Sequence, residues 1–138
     1  MKLRWPFAAT ARPALAAIYL APAAGQPMHA HESAEALPSL GLAGDRYATR
    51  SGFWKATDGC QVTLIGTPDL AWAARRAPAA QRESLMRGHH RRNLVVDGFK
   101  AQALEGMRFR IGEAVFAYRK PRPPCGYLDQ VEGAGLCR

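Results

Sequence analysis

Met107–Leu128, MRFRIGEAVFAYRKPRPPCGYL, reads as a strand that runs into a proline-stiffened turn carrying one cysteine. Phe109, Ile111, Val115, Phe116 and Tyr118 are the β-branched, aliphatic and aromatic residues that suit a pleated, half-buried surface. Phe109 and Ile111 are expected on one face and Phe116 and Tyr118 on the other, with Gly112 as a bulge that shifts the phase. Pro121, Pro123 and Pro124 remove backbone donors and fix φ, so a central strand cannot continue through them. Cys125 is therefore expected on a rigid turn just past a strand end, with Gly126 allowing close backbone approach. Arg119, Lys120 and Arg122 stand nearby, and positive charge favours the thiolate, which is the nucleophile and the soft metal ligand. The plain alternative is a cysteine that merely packs as a small apolar side chain.

Outward from this stretch, the chain is dense in turns and short in regular elements. Leu15–Leu20 reads as a first strand, ended by Pro22, Gly25 and Pro27. His29–Leu37 reads as a short polar helix or loop. His29 and His31, two apart, would not share a helix face and are set aside as solvent-exposed. Gly41–Lys55 reads as a loop in which Asp45 either bonds backbone donors or, with Arg46, Arg50 and Lys55, faces an anionic ligand. Gln61–Ile65 is a strand. Thr67–Ala74 starts a helix with Thr67 as N-cap, Pro68 at the first helical position and Asp69 in the first turn. Pro78 interrupts, and Gln81–Arg87 forms a further turn. Leu94–Val96 is a short strand with Arg91, Arg92 and Asn93 at its entrance. Paired arginines beside an amide suit a phosphate and a polar ring, though the segment alone fits a solvated basic turn slightly better. Phe99–Gly106 is a short amphipathic turn. Many short strands and one or two helices indicate a mainly β fold, a barrel or curled sheet.

Composition narrows the class. The 138 residues suit one domain, with 1–13 as an N-terminal tail and 14–138 as the folded unit. A formal charge of +8, mostly from arginine, suits phosphate or carboxylate ligands and equally nucleic acid. Cys60, Cys125 and Cys137 are too few and scattered for a disulfide framework, and no CxxC pair suggests structural zinc. Arg12 and Pro13 interrupt the apolar run that a signal peptide needs, and no stretch has the length of a transmembrane helix. A reducing, cytoplasmic setting is the expectation.

GDRYA at Gly44–Ala48, QVTLI at Gln61–Ile65, RRNLVV at Arg91–Val96, LEGMRFRIGEA at Leu104–Ala114 and PPCGYL at Pro123–Leu128 together resemble a MOSC domain. This is the module at the C-terminal end of molybdenum cofactor sulfurases, in amidoxime-reducing enzymes, and in small stand-alone bacterial proteins. Each motif alone is weak, but five in order over Leu15 to the last residue are specific. The resemblance implies a β-barrel-like fold and a characteristic cysteine, matching Cys125, that carries sulfur or ligates molybdenum. It implies that Arg91, Arg92 and Asn93 grip the pterin and phosphate of molybdenum cofactor, with Asp45 and Arg46 as further pocket residues. It also implies a cysteine desulfurase or a redox protein as partner. Lys2, Lys55 and Lys100 sit in no Schiff-base context, so no pyridoxal phosphate site is expected in this chain.

Two departures from the resembled pattern bear on activity. Many stand-alone relatives carry a second cysteine three residues before the main one, where this chain has Arg122. Relatives also continue past the GAGL-like segment with further strands, so a truncated barrel is expected, with an unpaired edge, a partner chain, or an inactive remnant as its consequences. The competing reading is a basic module that binds nucleic acid or another polyanion through Arg75–Arg76 and Arg87–Arg92.

Overall fold

In the computed structural model, the structure describes residues 14–49 and 61–118. The first strand, β1 (Ala14–Leu20), pairs antiparallel with β2 (His29–His31) on one side and with β6 (Leu94–Asp97) on the other. β5 (Leu64–Gly66) pairs parallel with β6, giving a four-stranded sheet of order β2-β1-β6-β5. A parallel pair needs a crossover. Here the connection is α1 (Thr67–Arg76), α2 (Ala79–Ser84) and a wide turn at Leu85–His89. Two hairpins complete the set among the described residues: β3 (Ala36–Leu37) with β4 (Gly41–Leu42), and β7 (Arg108–Ile111) with β8 (Ala114–Ala117).

The sheet is covered on both faces, and the period-2 pattern shows which residues serve which. Ile18, Leu20 and Leu94 meet Leu42 on one face, joined by Leu64, Ile111 and Phe116. Ala17, Tyr19, Ile65 and Val95 point the other way, to Leu70, Ala73 and Ala74 of α1 and to Leu85. Leu94, Val95 and Val96 are all buried, the continuous apolar run expected of a central strand covered on both sides. Gly66, at the end of β5, lies so close to the Phe99 carbonyl that a Cβ there would overlap its oxygen.

The expectation of a mainly β chain with a few short helices agrees with these elements, but the strands among the described residues do not close a barrel. Among the described residues β2 and β5 are the edges of the main sheet. Other differences have local causes. Gly112 is not a bulge. It takes φ +59° in a two-residue turn between Ile111 and Ala114, so the single expected strand is the hairpin β7–β8. Glycine at the first central position is the signature of a hairpin turn matched to strand twist. The turn brings Phe109 opposite Phe116, their rings stacked 5.7 Å apart, on one face rather than two. His29–Leu37 is neither helix nor loop throughout, since it supplies β2 and β3. Regular strand begins at Leu64, so Gln61–Thr63 of the expected strand precede it. Thr67 does not cap α1, because its hydroxyl donates to Asp97 at 2.7 Å. Pro68 and Asp69 occupy the first turn as expected. The turn around Cys125, together with Cys60, Cys137 and the tail at 1–13, lies outside the described residues.

Candidate functional site

Asp45 is fully buried, at 0% exposure, and its carboxylate is held by three donors. Oδ1 accepts from the Ala21 N–H at 3.1 Å and from Arg46 Nη1 at 3.0 Å, and Oδ2 accepts from the Tyr47 N–H at 3.3 Å. The first of these joins the Asp45 loop to the residue that follows β1. The pair Asp45–Arg46 is a salt bridge with both side chains buried.

Arg46 carries the connection onward. Its Nη2 donates to the Arg91 carbonyl at 3.1 Å and to the Tyr47 hydroxyl at 3.4 Å, and Nη1 also reaches the Met28 sulfur at 3.5 Å. Its guanidinium lies 4.4 Å from the Tyr47 ring centroid, a cation–π contact. Arg91 is itself buried, with φ +63°, a left-handed backbone that a bulky residue seldom adopts. Its Nη1 donates to the Gln26 carbonyl at 2.6 Å. Two loops some forty-five residues apart in sequence therefore meet in one buried polar centre.

Asn93 sits beside it with a different task. Its Oδ1 accepts from both the Thr63 N–H and the Thr63 hydroxyl at 3.0 Å, and its Nδ2 donates to the Tyr19 carbonyl at 3.0 Å. The Asn93 N–H in turn donates to Thr63 Oγ1, and its carbonyl accepts from the Tyr19 N–H at 2.7 Å. Asn93 thus brackets β1, β6 and the approach to β5 from a position with no solvent exposure. It places the neighbouring arginines.

Arg92 is half-buried. Its backbone N–H donates to His90 Nδ1 at 2.9 Å and its Nη1 to the His90 carbonyl at 3.2 Å. His90 is a residue that sequence reasoning passed over, since one histidine within GHHRRN carries no spacing signal. It is buried edge-on to Tyr19, with ring centroids 5.4 Å apart. Because Nδ1 accepts, the proton of the neutral ring resides on Nε2, which is buried without a hydrogen-bond partner among the described residues. Burial first, then the charge of Arg92 and of His89, pushes the His90 pKa down from 6.5 to about 3.

This makes a prediction. The unfolded chain takes up a proton at this position as pH falls below 6.5, whereas the folded chain resists until about 3. Stability contributed by neutral His90 is fully present above 6.5 and is lost as pH falls through that window. Between neutral pH and pH 5 the loss is about 2 kcal/mol, read as a lower urea midpoint. His90→Gln removes that part of the pH dependence.

Among the described residues the centre gathers the guanidiniums of Arg46 and Arg91, with Arg92 adjoining through His90, around the Asp45 carboxylate. Among the described residues no group of three or more His, Cys, Asp or Glu is placed to hold a metal ion. A cleft of about 600 Å³ opens beside the Asp45 loop, lined by Ala43, Gly44, Leu20, His29, His31 and Glu35 among others. His29 and His31 are exposed, as expected, and lie on β2, where residues two apart share a face. The expected pocket residues Asp45, Arg46, Arg91 and Asn93 are brought together. Arg92 adjoins them through His90, and Cys125 lies outside the described residues.

A family model described as the MOSC domain matches residues 54–133, more than half of the chain. The chain belongs to the MOSC domain family. No curated protein and no solved structure matches it. The MOSC match takes in Arg91–Asn93 and Cys125 and stops short of Asp45 and Arg46. The Arg46 bond to the Arg91 carbonyl joins that earlier loop to the matched part of the domain. No helix among the described residues is long and apolar enough to cross a membrane.

Proposed function

We propose that this MOSC-domain protein binds molybdenum cofactor and handles sulfur or metal through Cys125, in the cytoplasm, on a barrel-like domain. The observation that carries the reading is the meeting of the Gly44–Tyr47 loop with Arg91–Asn93 in a buried, cation-rich centre within a MOSC-family chain. Its donor set fits the anionic part of the cofactor. Arg91 and Arg92 would hold the phosphate, Arg46 would add charge from behind, and Asp45 would fix Arg46. His90 Nε2–H is a buried donor of settled tautomer that would suit a polar ring edge. The metal would depend on Cys125, a soft thiolate of the kind molybdenum takes. When bound, the cofactor supplies two-electron redox chemistry at the metal, with electrons from a separate protein.

The protein's own part in sulfur transfer is a simple exchange. The Cys125 thiolate attacks the outer sulfur of a donor persulfide, a new S–S bond forms at Cys125, and the donor's S–S bond breaks. The donor leaves as a thiolate, the proton stays on the transferred terminal sulfur, and no net oxidation occurs. A cysteine desulfurase is the class of protein that would present such a persulfide.

Incubation with a cysteine desulfurase and cysteine, followed by intact-mass analysis, tests this step. The expected result is the mass of one added sulfur atom on the wild-type chain, lost on reduction and absent from Cys125→Ala. Equal labelling of the variant would remove Cys125 from the account.

A further inference from the structure

α1 presents a second feature, on an element that contributes no residue to the buried centre. Its inward side is Leu70, with Ala73 and Ala74 packed beside it, and its outward side is Trp72, Arg75 and Arg76. Trp72 is 52% exposed, although burying an indole is among the larger apolar gains available to a fold of this size. The Arg76 guanidinium lies 4.3 Å from its ring centroid. Arg82, from α2, donates to the carbonyls of Ala77 at 3.3 Å and Arg75 at 3.5 Å, which brings a third cation to the same helix end. Among the described residues the ion pairs are Arg46–Asp45 and Arg87–Glu83, so no carboxylate neutralises Arg75, Arg76 or Arg82. The negative end of the helix dipole offsets only about half a charge.

We propose that the Trp72–Arg75–Arg76 face of α1 is a docking surface for an acidic segment of a partner protein that carries apolar anchors. Exposed Trp and Arg are the side chains most enriched at the energetic centre of protein interfaces. The unneutralised cations select an acidic occupant by charge complementarity. Single-stranded nucleic acid suits the surface less well. Its binding sites stack successive bases on several aromatics. From Thr67 to Ser84 Trp72 is the sole Phe, Tyr or Trp, and one side of its ring is already covered by Arg76. The inference goes beyond the Cys125 reading and does not rest on it.

Fluorescence anisotropy of the full chain tests the surface, with a fluorescein-labelled peptide alternating glutamate with leucine and phenylalanine as the probe. A single-stranded DNA oligonucleotide serves as the competing probe. The peptide is expected to bind, more weakly as salt rises, and to lose roughly tenfold or more in affinity in Trp72→Ala and in Arg75→Glu/Arg76→Glu. All three substitutions are at exposed positions, and circular dichroism checks that the variants stay folded. Sulfur loading of Cys125 from a small-molecule persulfide should be unchanged in Trp72→Ala, so docking and sulfur chemistry can fail separately. No peptide binding, or equal binding by wild type and variants, overturns the proposal. So does tighter binding of the oligonucleotide through the same residues.

Discussion

Replacing Asp45 by alanine is expected to cost about 3–5 kcal/mol, because it leaves the Arg46 guanidinium buried without its counter-charge. The loss also strips the Ala21 and Tyr47 N–H groups of their acceptor. Since a whole domain is stable by only about 5–15 kcal/mol, the urea midpoint should fall by roughly 2 M. Asp45→Asn keeps the shape but not the charge, so it should recover only part of that loss. The informative variant is the double one, Asp45→Ala/Arg46→Met, which removes the stranded cation together with its partner. Its cost should be well below the sum of the single costs, a coupling in the range found for contacting charged residues. Additive costs, or a loss under about 1 kcal/mol for Asp45→Ala, would mean that the pair does not organise this centre.

Asn93→Ala carries the second large effect, also about 3–5 kcal/mol. It orphans the Thr63 N–H and the Tyr19 carbonyl, both inside the protein, at about 1–3 kcal/mol for each group left unsatisfied. Thr63→Val removes only the hydroxyl of the same bracket and should cost about 1 kcal/mol. Asn93→Asp is nearly isosteric, yet it sets an acceptor against the Tyr19 carbonyl and buries a charge, so it should destabilise at least as much as alanine. Chemical denaturation of the four proteins reads this ordering directly. If Asn93→Ala instead kept wild-type stability and lost only pterin, Asn93 would be a ligand contact rather than the bracket that places Arg91 and Arg92.

What was legible in the sequence follows the range over which each signal acts. β1, β6 and the first turn of α1 were readable because alternating or continuous apolar residues, Pro68 and Asp69 act within a few positions. β2, β3 and β4 are two or three residues long, too short to show a period, and exist because of what they pair with. Gly112–Glu113 between apolar residues was a hairpin signal, and reading it as a bulge reversed the face assigned to Phe116. The site was half visible. The residue types in Gly44–Tyr47 and Arg91–Asn93 announced polar chemistry, but the Arg46 contact with the Arg91 carbonyl depends on tertiary packing. The residue type of Asn93 suggested a ligand group, and only the fold shows that its amide is buried and bonded to Thr63 and Tyr19. His90 gave no signal, because only its burial beside Tyr19 and Arg92 separates it from any surface histidine.

The measurement that bears most directly on the account is the molybdenum and pterin content of the full chain purified from a host that makes the cofactor. Elemental mass spectrometry counts the metal, and fluorescence after oxidation counts the pterin. The account predicts near-stoichiometric amounts of both in the wild type, with the metal lost in Cys125→Ala. Well-folded wild-type protein that holds neither metal nor pterin would contradict it.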